Sequence, residues 1–280
     1  NDNTSNYTFF STLPGTINYS GDCDSDNRSA VGEDNNTVTF NALGEGTHSN
    51  CEISVTTSVG VTSDNLSVSS FTIDTTAPTL VETTGVSILT NDNTSLSYTF
   101  SSTEGGTITF VGDCSSDNNT AVADNMTVSF AALADGTYDT CYIKVTDSAG
   151  NSREIKVNTF TIDTIAPNLA EIDPVDTPTN DNSTLSYTFS STEAGTITYG
   201  VCSGSPDNAS KDNNTITFNA LAEGTYDNCT ITVTDSAENT STALEVEEFK
   251  IDKTAPELNQ LTAVPTPTDN NTPAYSFSST

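Results

Sequence analysis

Three acids in this chain recur on a fixed beat. The segments "TIDTTAP", "TIDTIAP" and "KIDKTAP" share Ile-Asp-X-X-Ala-Pro and place Asp74, Asp163 and Asp252 at successive intervals of 89 residues. A lone carboxylate binds little, but several brought together repel one another by about 1 kcal/mol or more per close pair, so they favour a hard divalent cation. Six cysteines keep the same beat: Cys23 and Cys51, Cys114 and Cys141, Cys202 and Cys229, one pair per period. The period selects one connectivity from the fifteen that six cysteines allow. Each expected disulfide closes a loop of about 27 residues and adds roughly 3–4 kcal/mol in the chain-entropy account. Zinc is disfavoured, because no CxxC and no neighbouring histidine accompanies a pair. Paired cysteines of this kind point to an oxidising, extracellular compartment.

Elements of domain size must carry these residues. A period of 89 divides 280 residues into about three units, each large enough to bury its own core. The boundaries expected from the repeat are 1–78 with its first strand missing, 79–167, 168–256, and a truncated start of a fourth unit at 257–280. Both ends fall in the same phase, "NDNTSNYTFFST" and "DNNTPAYSFSST", which reads as a segment cut from a longer array. Seven basic residues against 38 acidic ones give a net charge of −31, unfavourable for nucleic acid and for anionic membrane surfaces. No apolar run is long enough for a membrane span, and no signal peptide is expected in this window.

Within a unit the hydrophobic period is two. "SLSYTFSS" sets Leu96, Tyr98 and Phe100 on one face; Ile108 and Phe110, then Met126, Val128 and Phe130, then Cys141, Ile143 and Val145 alternate in the same way. In "IKVNTFTID" the inward set moves from Ile155 and Val157 to Phe160 and Ile162, which predicts a bulge near Asn158 and Thr159. A first strand is expected within 79–89 and a short edge strand within 112–125. Short strands separated by turn signals every 8 to 12 residues predict an all-β antiparallel sandwich.

"IDTTAP" and "LADGTYDTCYIKVTDSAGN", with their copies, resemble the bacterial immunoglobulin-like repeats of large surface adhesins and other giant cell-surface proteins. The resemblance covers the whole chain and implies tandem immunoglobulin-like sandwiches, beads on a rigid string. Tyr138 matches the tyrosine corner of such folds, but it precedes its cysteine by three residues rather than two. The first cysteine of each pair follows the third strand, so the bridge is expected to tie a loop to a strand rather than to join the two sheets.

In an immunoglobulin-like order each heptad sits where the bottom of one sandwich meets the top of the next. That order gathers Asp163 with Asp92 and Asp135 from below and Glu193 and Asp235 from above; one junction earlier the set is Asp74, Asp2, Glu45, Glu104 and Asp147. Calcium fits such oxygen-rich sets, and Ca2+ at the junctions is the cofactor expected. The same acids read equally as turn formers on an acidic surface. One comparison favours a shared ligand: in the first repeat Leu13 and Thr57 stand where later repeats carry Glu104 and Asp147, so both upper acids vanish together. Pro78, Pro167 and Pro256 stiffen the linkers with or without metal.

No catalytic constellation recurs. The single histidine, His48, stands where Tyr138 and Tyr226 stand in the other repeats, so it reads as a corner residue rather than a base. Lysines share no common position, which disfavours a general Lys-Asn crosslink. Sequons at Asn6, Asn93, Asn125, Asn208 and Asn228 would accept glycans in a glycosylating host. The function expected is a structural stalk or fibre segment that extends a distal module from a bacterial cell, not an enzyme. Its partners are neighbouring repeats and, in a fibre, identical chains. The alternatives are a self-assembling filament subunit that pairs strands head to tail, and a carbohydrate- or cell-binding module.

Overall fold

The alternation of apolar and polar residues is realised as strands throughout. The computed structural model describes residues 3–30 and 32–279, and among them there is no helix, hence none long and apolar enough to cross a membrane. By contact density the chain divides into two units, Asn1–Ile88 with Asp92–Ile162, and Leu89–Asn91 with Asp163–Thr280. The division after Ile162 falls before the repeat boundary expected at 167.

The first unit holds two cores. One is built on Phe9, Ile17, Val38, Phe40 and Ile53, the other on Tyr98, Phe100, Val128, Ile143, Val145 and Phe160. In the second of these sandwiches one sheet runs in the order Asp124–Ser129, Ser97–Ser102, Leu80–Thr84. The facing sheet runs Thr120–Ala121, Gly106–Val111, Tyr142–Thr146, Ser152–Lys156. This is the antiparallel sandwich that the period-two pattern predicts, and every inward residue named from the sequence is buried or half-buried. The second unit repeats the design, with Leu169–Asp173, Ser186–Ser191 and Asp212–Phe218 packed over a core of Tyr187, Phe189, Ile231, Val233 and Phe249. It ends in a two-stranded hairpin, Leu258–Thr262 with Ser276–Ser279.

Outward threonines pair across strands: Thr8 with Thr37, Thr99 with Thr127, and Thr188 with Thr215 join hydroxyls at 2.8, 2.8 and 2.9 Å. All three disulfides form with the pairing set by the repeat. Their Cα separations of 5.2 to 5.3 Å are ordinary for a bridge. Gly112 lets the chain turn sharply into its cysteine loop: its φ is +91°, and a side chain would strike the Thr140 carbonyl.

Near Asn158 the structure replaces the expected bulge with a full break. Ser152–Lys156 ends, Phe160–Ile162 begins after three intervening residues, and the second strand pairs with Gly136–Tyr138 instead of Tyr142–Thr146. The Asn158 side chain fills the gap, accepting from the Val86 N–H and donating to the Val86 carbonyl, both at 2.8 Å. It imitates the ladder pair that the break removes.

The corner residue is the same device three times. The Tyr138 hydroxyl donates to the Ala134 carbonyl at 2.7 Å and the Tyr226 hydroxyl to Ala222 at 2.9 Å. His48 Nε2 lies 3.0 Å from the Gly44 carbonyl, and its ring packs on Phe71 as the tyrosines pack on Phe160 and Phe249. A ring nitrogen carrying a proton serves where a phenol serves elsewhere.

Candidate metal centres

Three carboxylates converge in each unit. Asp74, Glu104 and Asp147 form one set and Asp163, Glu193 and Asp235 the other, each offering one oxygen with all oxygens of a set within 4.8 Å of one another. The two sets use equivalent residues of successive repeats.

Local turns position each acid. The loop acid follows a strand, Tyr142–Thr146 in the first unit and Thr230–Thr234 in the second. Asp147 Oδ1 accepts from the N–H groups of Ala149 and Asn151 at 2.8 and 2.9 Å. Asp235 Oδ1 accepts from Ala237 and Asn239 at 2.7 and 2.9 Å. The loop needs a left-handed residue at its fourth position, Gly150 at φ 89°; the second unit puts Glu238 there at φ 73°, a costlier choice. The middle acid sits just past the strand Ser97–Ser102 or Ser186–Ser191, where the serine hydroxyl donates to the carbonyl of Glu104 or Glu193 at 2.6 Å. The linker acid makes its own turn: Asp74 Oδ1 accepts from Thr76 N–H at 3.1 Å and Asp163 Oδ1 from Ile165 at 3.2 Å. Turn formation and convergence therefore coexist in the same side chains.

A clamp that the acid count overlooks completes each set. Asn151 Nδ2 donates to Asp147 Oδ2 at 3.0 Å and to the Asp74 carbonyl at 3.1 Å. Asn239 Nδ2 donates to Asp235 Oδ2 at 2.9 Å and to the Asp163 carbonyl at 2.8 Å. One amide thus fixes the linker aspartate against the loop aspartate. The signal was present as D-x-x-x-N in "DSAGN" and "DSAEN". The first repeat loses both members together, carrying Thr57 and Val61. Its loop still closes, because the Thr57 hydroxyl accepts the Val61 N–H at 3.2 Å and Thr57 N–H donates to the Val61 carbonyl at 2.9 Å.

Electrostatics single out the glutamates. The Glu104 carboxyl is pushed above its ordinary range by burial first, then by Asp74, Asp147 and Glu45. Glu193 is raised by burial, Asp163 and Asp235, with Lys211 pulling the other way. Burial also pushes Asp147 up, but hydrogen bonds from the Asn151 side chain and from the N–H groups of Asn151, Ala149 and Gly150 outweigh it and hold the group low.

The remaining sequence candidates lie elsewhere. Glu45 Oε1 accepts from Thr75 N–H at 2.9 Å, from Thr76 Oγ1 at 3.1 Å and from Thr75 Oγ1, so it braces the linker rather than joining the set. Asp92 is turned inward on its own loop, accepting from Thr94 and Ser95, and is held down to about 2 by the Ser95 hydroxyl and the Thr94 and Ser95 N–H groups. Asp135 belongs to neither set. Asp252 pairs with Lys250 Nζ at 2.9 Å and accepts from Thr254 N–H at 3.1 Å. Asp2 lies outside the described residues.

No protein-family model matches the chain, and no curated protein matches it. Among solved structures it is similar to the fibronectin(III)-like modules of Clostridium thermocellum CbhA, at 12% identity over 62% of this chain and 94% of that one, with a TM-score of 0.34. It is also similar to SGBP-B of the Bacteroides ovatus mixed-linkage glucan utilization locus, solved with a mixed-linkage heptasaccharide, at 13% identity and a TM-score of 0.19. That likeness covers 93% of this chain and 65% of the other. Neither score is high enough to bear on function, and the fold assignment stands on the strand order described above.

Proposed function

We propose that this chain is a load-bearing segment of an extracellular stalk or fibre on a bacterial surface, built from tandem immunoglobulin-like sandwiches whose linkers are stiffened by calcium. The observation that carries the reading is the recurrence of one geometry: linker aspartate, turn glutamate and loop aspartate within 4.8 Å, locked by an asparagine, twice in one chain. The first-repeat loop supports a ligand role for the acids, since Thr57 closes that loop without a carboxylate. Calcium suits the donor set: it takes six to eight oxygens in loose geometry, and three carboxylates with water and carbonyl oxygens would satisfy it. Three disulfides support an oxidising, extracellular setting and resistance to unfolding.

A stalk must bear load, so pulling the chain by its ends is the test. The reading predicts discrete unfolding events, each shortened by the 27 or 28 residues locked behind a disulfide, at forces that fall in chelator. Smooth extension at low force, unchanged by calcium, would contradict it.

A further inference from the structure

One edge of the second sandwich differs in charge from its counterparts. The strands Tyr142–Thr146 and Ser152–Lys156 carry Lys144, Arg153 and Lys156, three of the seven basic residues of the chain, against a single acid, Glu154. Among the described residues none of these four makes an ion pair, although the chain has 38 acids and Glu154 lies directly opposite Lys144. Ser152–Lys156 is the last strand of its sheet: it pairs with Tyr142–Thr146, and among the described residues no strand lies on its outer side. Arg153 and Lys156 are exposed and Lys144 is half-buried.

The equivalent edge of the third sandwich is acidic. Leu244–Glu245 ends that sheet and sets Glu245 opposite Thr230, as Lys156 lies opposite Tyr142. Val157 donates its N–H to the Cys141 carbonyl and Val246 donates to Cys229, both at 2.9 Å, so the two edges share one frame. After Val246 come Glu247 and Glu248, where the second sandwich has Asn158 and Thr159. All three glutamates are exposed, and among the described residues none makes an ion pair. The same edge of the first sandwich has no lysine or arginine, and its Glu52 accepts from Asn65 Nδ2 at 2.7 Å.

Short strands and edge charges ordinarily keep sheets of different molecules apart. The first and third sandwiches limit this edge to two residues, whereas the second exposes five. Charge repels only when the edges that meet carry one sign, and these two carry opposite signs. We propose that the basic edge of the second sandwich docks on the acidic edge of the third sandwich of a second copy of this chain. Lys144, Arg153 and Lys156 then face Glu245, Glu247 and Glu248, and charges left unpaired within the molecule pair between molecules. The net charge of −31 opposes any contact between copies. At about 0.15 M salt the screening length is about 8 Å, so repulsion between distant parts fades while charges in contact still attract.

The test is sedimentation of the full chain across a concentration series at that salt, in chelator, so the outcome is independent of the calcium reading. The expected result is a mass that climbs above 29.4 kDa with concentration. Two triple variants, K144E/R153E/K156E and E245K/E247K/E248K, should each self-associate more weakly by roughly tenfold or more. Their equimolar mixture, and a chain carrying all six reversals, should recover the association. The E245K/E247K/E248K variant has less net charge than the native chain, so general repulsion does not account for its loss. All six side chains lie outside the three cores, and an unchanged circular dichroism spectrum verifies each fold. A native mass fixed at 29.4 kDa, undiminished association by either triple variant, or no recovery in the mixture would each overturn the proposal. So would a native chain that stays monomeric yet binds polygalacturonate through Lys144, Arg153 and Lys156, which would give the basic edge to an anionic polymer.

Discussion

Neutralising one acid of a set should strengthen the metal-free protein and abolish that set's share of the response to calcium. Glu104→Gln is the cleanest case, because the hydrogen bonds that hold its set together run to Asp147 and Asp74. At 4.8 Å a pair of like charges repels by about 0.9 kcal/mol at the dielectric of water and by about 3.5 kcal/mol at an effective value near 20. Glu104 faces two such partners and is partly exposed, so screening leaves a net relief of about 1–2 kcal/mol. The sign follows from the raised pKa of Glu104. Its folded form binds a proton more tightly than the unfolded chain does, so the metal-free protein gains stability as pH falls through the carboxylate range and loses it again as pH rises. Glu104→Gln should flatten that dependence. The assay is denaturant unfolding of both proteins, in chelator and in calcium. Each intact set should contribute about 2.7 kcal/mol at a calcium concentration one hundred times its dissociation constant, so the variant should keep the contribution of the Asp163, Glu193 and Asp235 set and lose that of its own. A variant less stable than native in chelator, or one that keeps the full calcium response, would refute the reasoning.

Other predictions concern single residues. Glu238→Gly should stabilise its sandwich by about 0.5–1 kcal/mol in thermal unfolding, since a left-handed backbone at φ 73° suits glycine. Tyr138→Phe removes the bond to the Ala134 carbonyl and should cost about 1 kcal/mol by the same assay, while His48→Tyr should be tolerated because the other corners use that residue. Asp92, ordinarily near 3.8, is lowered to about 2, so its contribution to stability is present above 3.8 and is lost as pH falls through about 2. Carboxyl-carbon NMR should find it ionised at pH 3, and a midpoint near 4 would contradict the turn assigned to it.

The strands were legible because one sheet face is buried and the other wet, so Leu96, Tyr98 and Phe100 mark their own face by alternation. The break at Asn158 was half legible: the change of phase from Val157 to Phe160 was visible, but its cause was a side chain bonding Val86, 72 residues away. The repeat exposed the cysteine pairing and the corner role of His48 without any geometry. Of the five acids expected at each junction, three converge among the described residues, and the reason is physical. Topology placed five acids at one pole, yet each short loop satisfies its own carboxylates first, as Asp92 does with Thr94 and Ser95 and Glu45 with Thr75. Asn151 and Asn239 escaped because an uncharged residue leaves no trace in a tally of acids.

Crystals grown in calcium, with diffraction recorded where calcium scatters anomalously, test the central claim most directly. The account predicts two strong peaks per chain, one within bonding distance of Asp74, Glu104 and Asp147 and the other of Asp163, Glu193 and Asp235. The second should be the first to weaken as calcium is lowered, because Lys211 already offsets part of the charge on Glu193. Maps with no peak at either set, and with the three carboxylates turned apart into solvent, would contradict it.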